Sequence, residues 1–224
     1  MAIARGITHL DRKISDIVLT PAGPAGSDGP EVDHLVTDRG EQLAFDLYFD
    51  CTGFRSLLLE QKLGSPFLSY RSSLFTDRAL TFSTPHGGRI KPYTTATTMN
   101  SGWTWTIPHD DRDNHGYVFS SSHQSPEEAH REVRARWPTM GEVQDVVRFR
   151  SGRHAEAWKG NVIAVGNAHG FVEPLESSGL LMICLTIQKM IAVFPRSKHD
   201  TSSRQILNGF LSTRWDGLRW FLSI

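Results

Sequence analysis

The segment Asn161–Gly179, NVIAVGNAHGFVEPLESSG, places glycines, carboxylates and serines close together in a pattern that could bind an anion. It begins with the apolar run Val162–Val165, which is typical of a buried strand, and its serine pair precedes the long apolar run Leu180–Phe194, which predicts a helix. The segment therefore predicts a strand, a glycine loop and a helix N-terminus, where free N–H groups and the helix dipole favour negative charge. The alternative is a structural turn in which the serines only cap the helix and the carboxylates Glu173 and Glu176 are solvated.

The composition argues against several classes of protein. Twenty-four basic and 24 acidic side chains balance over 224 residues, so net charge gives no reason to expect nucleic acid or an anionic membrane as a partner. The two cysteines, Cys51 and Cys184, give no disulfide framework and no thiolate metal site, and Cys184 is expected to pack in the core. The ten histidines show no metal-ligand spacing, so no metal site is predicted and no histidine receives a role.

The apolar run Leu180–Phe194 does not predict a membrane span. It has only 15 residues and contains Gln188 and Lys189, whereas a spanning helix needs about 20 predominantly apolar residues. The start of the chain, MAIARGITHL, lacks the apolar centre of a signal peptide. We therefore expect a cytoplasmic protein without a membrane partner.

The remaining pattern predicts a mixture of strands and helices. Trp103, Trp105 and Ile107 alternate along one strand, so by themselves they indicate a core face. The predicted elements are an antiparallel meander of strands Ile14–Leu19, Val32–Thr37 and Gln42–Asp50, a short helix at Arg55–Leu63, mostly strand over Ala79–Ser122, a helix from a capping box at Ser125–Glu128 to about Trp137, a strand at Val143–Arg150 and a final helix at Ser202–Ile224.

Three motifs in a fixed order resemble a known family. They are DCTGFRS at Asp50–Ser56, WTWTIP at Trp103–Pro108 and GFVEPLESSG at Gly170–Gly179. In this combination they resemble the flavin-dependent halogenases of the tryptophan halogenase family, whose W-x-W-x-I-P signature is intact here. The resemblance covers most of the chain from about Asp33 onward.

The resemblance implies an α/β fold, α+β in detail. It is the FAD/NAD(P)-binding two-domain fold of flavin-dependent halogenases and aromatic hydroxylases, here incomplete because the N-terminal dinucleotide-binding unit is lacking. The implied division is a partial FAD-binding domain over residues 1–63, a sheet-rich substrate-facing domain over 64–150, the returning FAD-domain strand and helix over 151–200, and the start of a C-terminal helical region over 201–224.

The same resemblance implies an activity. A separate flavin reductase supplies reduced FAD, and dioxygen and chloride or bromide then give a hypohalous acid. This oxidant passes through an internal tunnel to a lysine beside an electron-rich aromatic small molecule such as tryptophan or another indole. The reactive flavin and the oxidant are thereby kept apart from water. The resemblance is also compatible with a homodimer.

Site residues follow from the matched motifs. Glu176 matches the catalytic glutamate, which orients the electrophile and accepts the ring proton, work that suits a partly desolvated carboxylate. Ser178 and Gly179 match the halide-binding positions. The other implied positions are Gly53, Gly166, Asn167 and Gly170 against the cofactor, and Trp103, Trp105, Ile107 and Pro108 along the tunnel.

Two features depart from the family pattern. The sequence has no opening G-x-G-x-x-G strand and helix, and none of its lysines, Lys13 and Lys62 included, lies in the context of the tunnel lysine. We therefore expect the chain to be truncated at both ends and inactive by itself. A FAD-dependent aromatic monooxygenase of the same fold, or a non-catalytic halogenase remnant, are the alternatives.

Overall fold

A computed structural model describes residues 3–21, 29–143, 146–175, 177–195 and 200–223. The strands are β1 Ile14–Leu19, β2 Val32–Thr37, β3 Gln42–Leu43, β4 Tyr48–Asp50, β5 Phe67–Ser69, β6 Arg78–Thr84, β7 Thr95–Met99, β8 Gly102–Pro108, β9 Asp113–Phe119, β10 Val147–Arg148, β11 Gly152–His154, β12 Trp158–Lys159, β13 Val162–Ala164 and β14 Gly170–Phe171. The α-helices are α1 Pro126–Arg136, α2 Ser178–Ala192 and α3 Thr201–Leu222.

The chain forms two compact units, each built from three stretches of sequence. The first unit contains Met1–Pro66, His154–His169 and Thr186–Leu211. The second contains Phe67–Arg153, Gly170–Leu185 and Ser212–Ile224. Both mix strands with helices, which agrees with the α+β content expected from the sequence.

The described residues of the first unit form two small sheets. Strands β1, β2 and β3 form the antiparallel meander, whereas β4 pairs in parallel with β13, which also pairs with β12. The predicted third strand, Gln42–Asp50, is therefore wrong as one element, because its second half joins a sheet formed with a distant segment. Asn161 links the two sheets, since its side-chain amide accepts from the Val32 N–H at 2.9 Å and donates to the Val32 carbonyl at 2.8 Å.

A buried carboxylate fixes the chain where β4 ends. Asp50 has no exposed surface, and its oxygens accept hydrogen bonds from the Thr52 N–H and hydroxyl and from the Leu58 and Leu59 N–H groups at 2.6–3.0 Å. These bonds cap a six-residue π-helical turn, Leu57–Lys62. The predicted helix at Arg55–Leu63 is thus present as this turn, preceded by a 3₁₀ turn at Gly53–Arg55.

The second unit is organised on a five-stranded antiparallel sheet in the order β10-β6-β9-β8-β7. Helix α1 begins with the predicted capping box, in which Ser125 and Glu128 bond each other's backbone N–H groups. Its inward residues Ala129 and Val133 join the core formed by Leu80, Phe82, Tyr117, Phe119 and Met140. The predicted strand Val143–Arg150 is wrong in extent, because only Val147–Arg148 pairs with β6 among its described residues; residues 144–145 lie outside them.

Gly102 sets the register at the start of β8. A Cβ atom at this position would lie 1.9 Å from the Val118 carbonyl oxygen of the paired strand β9. No side chain fits there, so glycine is required for β8 to pair closely with β9. The close pairing of β8 with β9 fixes the position of the tryptophan-containing strand β8 in the sheet.

Replacing Asp50 by Asn should destabilise the protein at its natural length. The new amide group would point a donor at backbone N–H groups that need an acceptor, and a buried mismatch of this kind costs about 2–3 kcal/mol. Urea unfolding should show a lower midpoint. Asp110→Asn, at an exposed turn, is the matched control and should stay within about 0.5 kcal/mol of the wild type. Equal stability of the two variants would contradict the capping role of Asp50.

Candidate functional site

Two glycine turns lie at the same edge of the parallel strand pair in the first unit. Strand β4 leads into Gly53, with φ of 67°, and β13 leads into Gly166, with φ of 62°. Parallel strands end at a common edge, where open α/β sheets bind their ligands. Ser56 joins the two turns, because its hydroxyl donates to the Ala168 carbonyl at 2.7 Å. A Cβ at Gly53 would meet no atom within 4 Å, so the space beside this turn is open.

Buried histidines support the second of these turns. The His154 N–H donates to the His169 carbonyl at 2.8 Å, and both side chains are buried. The His154 ring contacts the Ser65 carbonyl through Nδ1 at 3.0 Å and lies 3.6 Å from a Glu60 carboxylate oxygen. Asn167, between the two glycines of this segment, is exposed. Sequence reasoning gave the histidines no role, and the structure gives His154 a packing role.

Gly170, a predicted cofactor residue, lies in the second unit at a point where only glycine fits well. A Cβ there would be 3.0 Å from the Arg153 Cβ and from the Gly152 carbonyl, and 3.1 Å from the Trp215 ring. Strand β14 pairs with β11 through Gly170 and Arg153. The contacts therefore fix where the chain enters the loop that follows.

An ion-pair network holds Arg153. Its guanidinium donates two hydrogen bonds to Asp216, at 3.0 and 2.9 Å, and the Tyr70 hydroxyl donates to the same carboxylate at 2.6 Å. The bonds from Arg153, helped by that from Tyr70, hold the pKa of Asp216 below its ordinary value of 3.8. Arg219 lies over the Tyr70 ring and donates to Ser73. Sequence reasoning missed this network, since Arg153 and Asp216 are far apart in the chain and their spacing carries no local signal.

The start of helix α2 carries an unpaired buried hydroxyl. Ser178 is 3 % exposed, and no group among the described residues hydrogen-bonds its Oγ. The preceding Ser177 has φ of 50°, and a Cβ on Gly179 would meet nothing within 4 Å. Glu176 lies outside the described residues. A buried hydroxyl at the positive end of a 15-residue helix is suited to an anion.

The WTWTIP strand does not turn its aromatic face into the core. Thr104 is fully buried, whereas Trp103 and Trp105 are half-buried and Ile107 is 40 % exposed. The core alternative for the aromatic face is therefore wrong. The Trp105 ring lies against Gly116, where a Cβ would come within 2.2 Å of it. Pro108, at the end of β8, is half-buried.

A cavity in the second unit brings two of the motifs together. Its volume is about 540 Å³, and Trp103 of WTWTIP and Glu173 of the third motif both line it, with the polar residues Asn100, Ser120 and His123. Glu173 is only 9 % exposed and accepts a hydrogen bond from the Thr76 hydroxyl. The alternative of a solvated loop carboxylate is therefore wrong for Glu173.

The cysteines and the longer helices add no further site. Cys184 is exposed, so its predicted core packing is wrong; it lies on a face of α2 that points outward. Over the part of the chain that the structure describes, no group of three or more His, Cys, Asp or Glu side chains could hold a metal ion. No helix in those same residues is long and apolar enough to cross a membrane.

The fold and motifs together define a protein with the architecture of flavin-dependent halogenases. MibH, a lanthipeptide tryptophan 5-halogenase, superposes with a TM-score of 0.87 and 52% identity, over 99% of this chain and 41% of that one. The tryptophan 6-halogenase of Streptomyces toxytricini gives a TM-score of 0.89 and 36% identity, over 99% of this chain and 43% of that one.

The family model of tryptophan halogenase matches residues 1–224, so the chain belongs to the tryptophan halogenase family. Among curated proteins, the 7-chloro-L-tryptophan 6-halogenase of Kutzneria sp. (strain 744) is 38% identical over 228 residues, covering 100% of this chain and 43% of that protein. The chain thus spans less than half the length of these relatives. The recognition made from the three motifs is confirmed.

The Asp216 network predicts an acid-dependent loss of stability. A carboxyl whose folded pKa is depressed stabilises the protein above its unfolded pKa of about 3.9, and this contribution is lost as the pH falls through the lower folded value. Asp216→Asn should therefore lower the stability of the protein at pH 7 and flatten its dependence on pH below about 4. Because half of the Asp216 side chain is exposed, solvent screening limits the effect to about 1 kcal/mol.

Unfolding midpoints measured from pH 2 to 7 check this prediction. Asp110→Asn serves as the exposed control and should follow the wild-type curve. Parallel acid curves for Asp216→Asn and the wild type would rule out the network as the source of the effect.

Proposed function

We propose that the protein carrying this chain is a flavin-dependent halogenase that replaces a hydrogen of the tryptophan indole ring by chlorine or bromine. The observation that carries the proposal is the buried, unpaired hydroxyl of Ser178 at the N-terminus of α2. It lies inside the motif that the family uses for its halide. Anion chemistry and family membership thus point to the same few residues.

The proposed substrate is tryptophan within a peptide. The chain is 52% identical to MibH, a lanthipeptide tryptophan 5-halogenase, and 38% and 37% identical to two tryptophan 6-halogenases. The higher identity to the protein named for a peptide substrate favours a peptide-bound indole over the free amino acid.

The glycine turns of the first unit fit a flavin. Positive φ at Gly53 and Gly166 lets the backbone approach a flat ring without a Cβ in the way, and the space beside Gly53 is open. We assign Gly53, Gly166 and Asn167 to cofactor binding on this ground, and Gly170 on its match to the family motif alone. When bound, reduced FAD supplies the two electrons that activate dioxygen.

The loop after β14 supplies the groups for the halide and the proton. Ser178 Oγ and the N–H groups around Gly179 hold the chloride or bromide ion by hydrogen bonds and the helix dipole. Glu176 orients the electrophile toward the ring and accepts the proton that leaves the substituted carbon. Trp103, Trp105, Ile107 and Pro108 line the route of the oxidant and exclude water from it.

The stoichiometry of the proposed reaction indicates which partner protein the enzyme needs. One reduced FAD, one dioxygen, one halide ion, one proton and one aromatic C–H give oxidised FAD, one aromatic C–halogen bond and two waters. Each turnover consumes a reduced flavin, so a flavin reductase is the proposed partner. The inactivity of the isolated 224 residues stays a prediction.

Replacing Glu176 by Gln in the protein at its natural length should abolish halogenation and leave FAD binding intact. The amide cannot accept the ring proton, and loss of a general base lowers kcat by about 10²–10⁴-fold. The assay supplies reduced FAD, oxygen and chloride, and follows the mass of free tryptophan and of a tryptophan-containing peptide. Glu127→Gln, on an exposed turn of α1, is the matched control.

Three outcomes of this assay would overturn parts of the proposal. A hydroxylated product that forms without halide would indicate a monooxygenase. Full activity of Glu176→Gln would remove Glu176 from the chemistry. Faster turnover of free tryptophan than of the peptide would refute the peptide as the substrate. The proposed halogenation itself would not be affected by this outcome.

Replacing Ser178 by Ala should weaken halide binding selectively. Loss of one hydrogen bond to an ion corresponds to about a tenfold rise in the apparent KM for chloride, with FAD binding unchanged. Initial rates measured across a chloride titration check this, with Ser202→Ala, exposed in the first turn of α3, as the control. An unchanged KM for chloride would exclude the Ser178 hydroxyl as a halide ligand.

A further inference from the structure

The loop that joins β14 to α2 has a side-chain attachment of its own. Among its described residues, Val172–Leu175 and Ser177, Glu173 is the residue whose side chain hydrogen-bonds another part of the chain. Its Oε2 accepts from the Thr76 hydroxyl at 2.5 Å, and the side chain is 9 % exposed. Sequence reasoning gave Glu173 no role, and nothing in the proposed chemistry uses it.

The other end of this attachment lies next to a well-bonded residue. Thr76 directly precedes Asp77, whose carboxylate accepts from the Ser121 N–H at 2.8 Å and the Ser121 hydroxyl at 2.7 Å. The Asp77 N–H also donates to the Phe119 carbonyl at the end of β9. Glu173 is therefore bonded to a residue that lies two positions before β6, a strand inside the five-stranded sheet.

The backbone on the far side of Glu173 is tightly turned. The Ser177 N–H donates to the Pro174 carbonyl at 3.2 Å, and Ser177 adopts φ of 50°, a conformation that L-residues rarely take. A strained turn keeps its shape only when its surroundings hold it. The Glu173–Thr76 hydrogen bond is a side-chain restraint of this kind, three residues before Glu176 and five before Ser178.

We propose that Glu173 is a positioning residue, which through Thr76 holds the loop so that the Ser178 anion site at the start of α2 keeps its working geometry. This inference rests on the proposed function. It also explains why a carboxylate occurs at a nearly buried position beside Trp103 in the wall of the cavity. A buried acceptor bonded to a fixed hydroxyl restrains the backbone more strongly than an apolar side chain of the same size.

The test removes the hydroxyl of Thr76, the hydrogen-bond partner of Glu173, and leaves the sequence of the loop unchanged. Thr76→Val keeps the shape of the side chain and deletes the donor, whereas Thr76→Ser keeps the donor and deletes a methyl group. Thr94→Val, at an exposed position of the second unit, is the control for the substitution type. All variants are made in the protein at its natural length.

Thr76→Val should lower kcat/KM for chloride by about tenfold to a hundredfold, because small misplacements of catalytic groups have effects of this size. The KM of the aromatic substrate and the flavin spectrum of the bound cofactor should stay as in the wild type. Thr76→Ser should recover most of the lost kcat/KM. Amide hydrogen exchange should rise in peptides covering residues 171–180 for Thr76→Val and stay unchanged elsewhere in the protein.

The outcomes separate this inference from the proposed function. Exchange in residues 171–180 that is equal in Thr76→Val and the wild type overturns the attachment, whatever the activity. Equal kinetic losses in Thr76→Ser and Thr76→Val point to packing of the methyl group and also overturn it. A wild-type protein that makes no halogenated product overturns the proposed function, and the exchange data then decide alone whether Glu173 holds the loop.

Discussion

The parallel pairing of β4 with β13 is the constraint on which the first unit depends. In this register Tyr48, Phe49 and Asp50 lie opposite Val162, Ile163 and Ala164, all three of the latter fully buried. The pairing joins segments far apart in sequence, and it brings their two glycine turns to one edge. Without it, Gly53 and Gly166 would be two unrelated loops. Two strands of three residues each, whose sequences carry little periodic signal, therefore determine where Gly53 and Gly166 lie relative to each other.

Asp50 shows how a buried charge stabilises this arrangement. A carboxylate without water is costly unless hydrogen-bonded, and Asp50 meets that cost with four donors from the chain that follows it. The same bonds shape the π-helical turn Leu57–Lys62, an unusual element that fixes the exit of the chain from the Gly53 turn. In the second unit, the half-exposed carboxylate of Asp216 also accepts from several donors, which Arg153 and Tyr70 provide. Asp216 thereby joins segments far apart in sequence, whereas the donors to Asp50 come from the segment that directly follows it.

Elements with local signals could be predicted from the sequence, whereas those that depend on distant partners could not. Strands β1 and β2 agree with their predicted bounds because turn residues mark their ends, and α1 begins at its capping box. The split of Gln42–Asp50 was missed, since nothing local reveals that Tyr48–Asp50 pairs with β13. Alternation correctly placed Trp103, Trp105 and Ile107 on one face of β8, but assigned that face to the core. Thr104 is buried instead, because its face of the sheet is the one that carries Tyr117.

The candidate site combines a fixed scaffold with a loop under conformational strain. Family motifs identified Glu176, Ser178 and the glycines, and these assignments stay predictions, whereas the contacts that hold the loop are visible only in three dimensions. An anion at a helix N-terminus is attracted by dipoles that fall off within about one turn, so a shift of the loop by a fraction of a turn changes the field at the ion. Chemistry that depends on such a short-range field needs the loop fastened to a rigid element. The hydrogen bond from Thr76 to Glu173 joins the loop to the residues directly before β6, where the Asp77 N–H donates to the Phe119 carbonyl of β9. The stability of the second unit is thereby linked to the geometry of the proposed halide site.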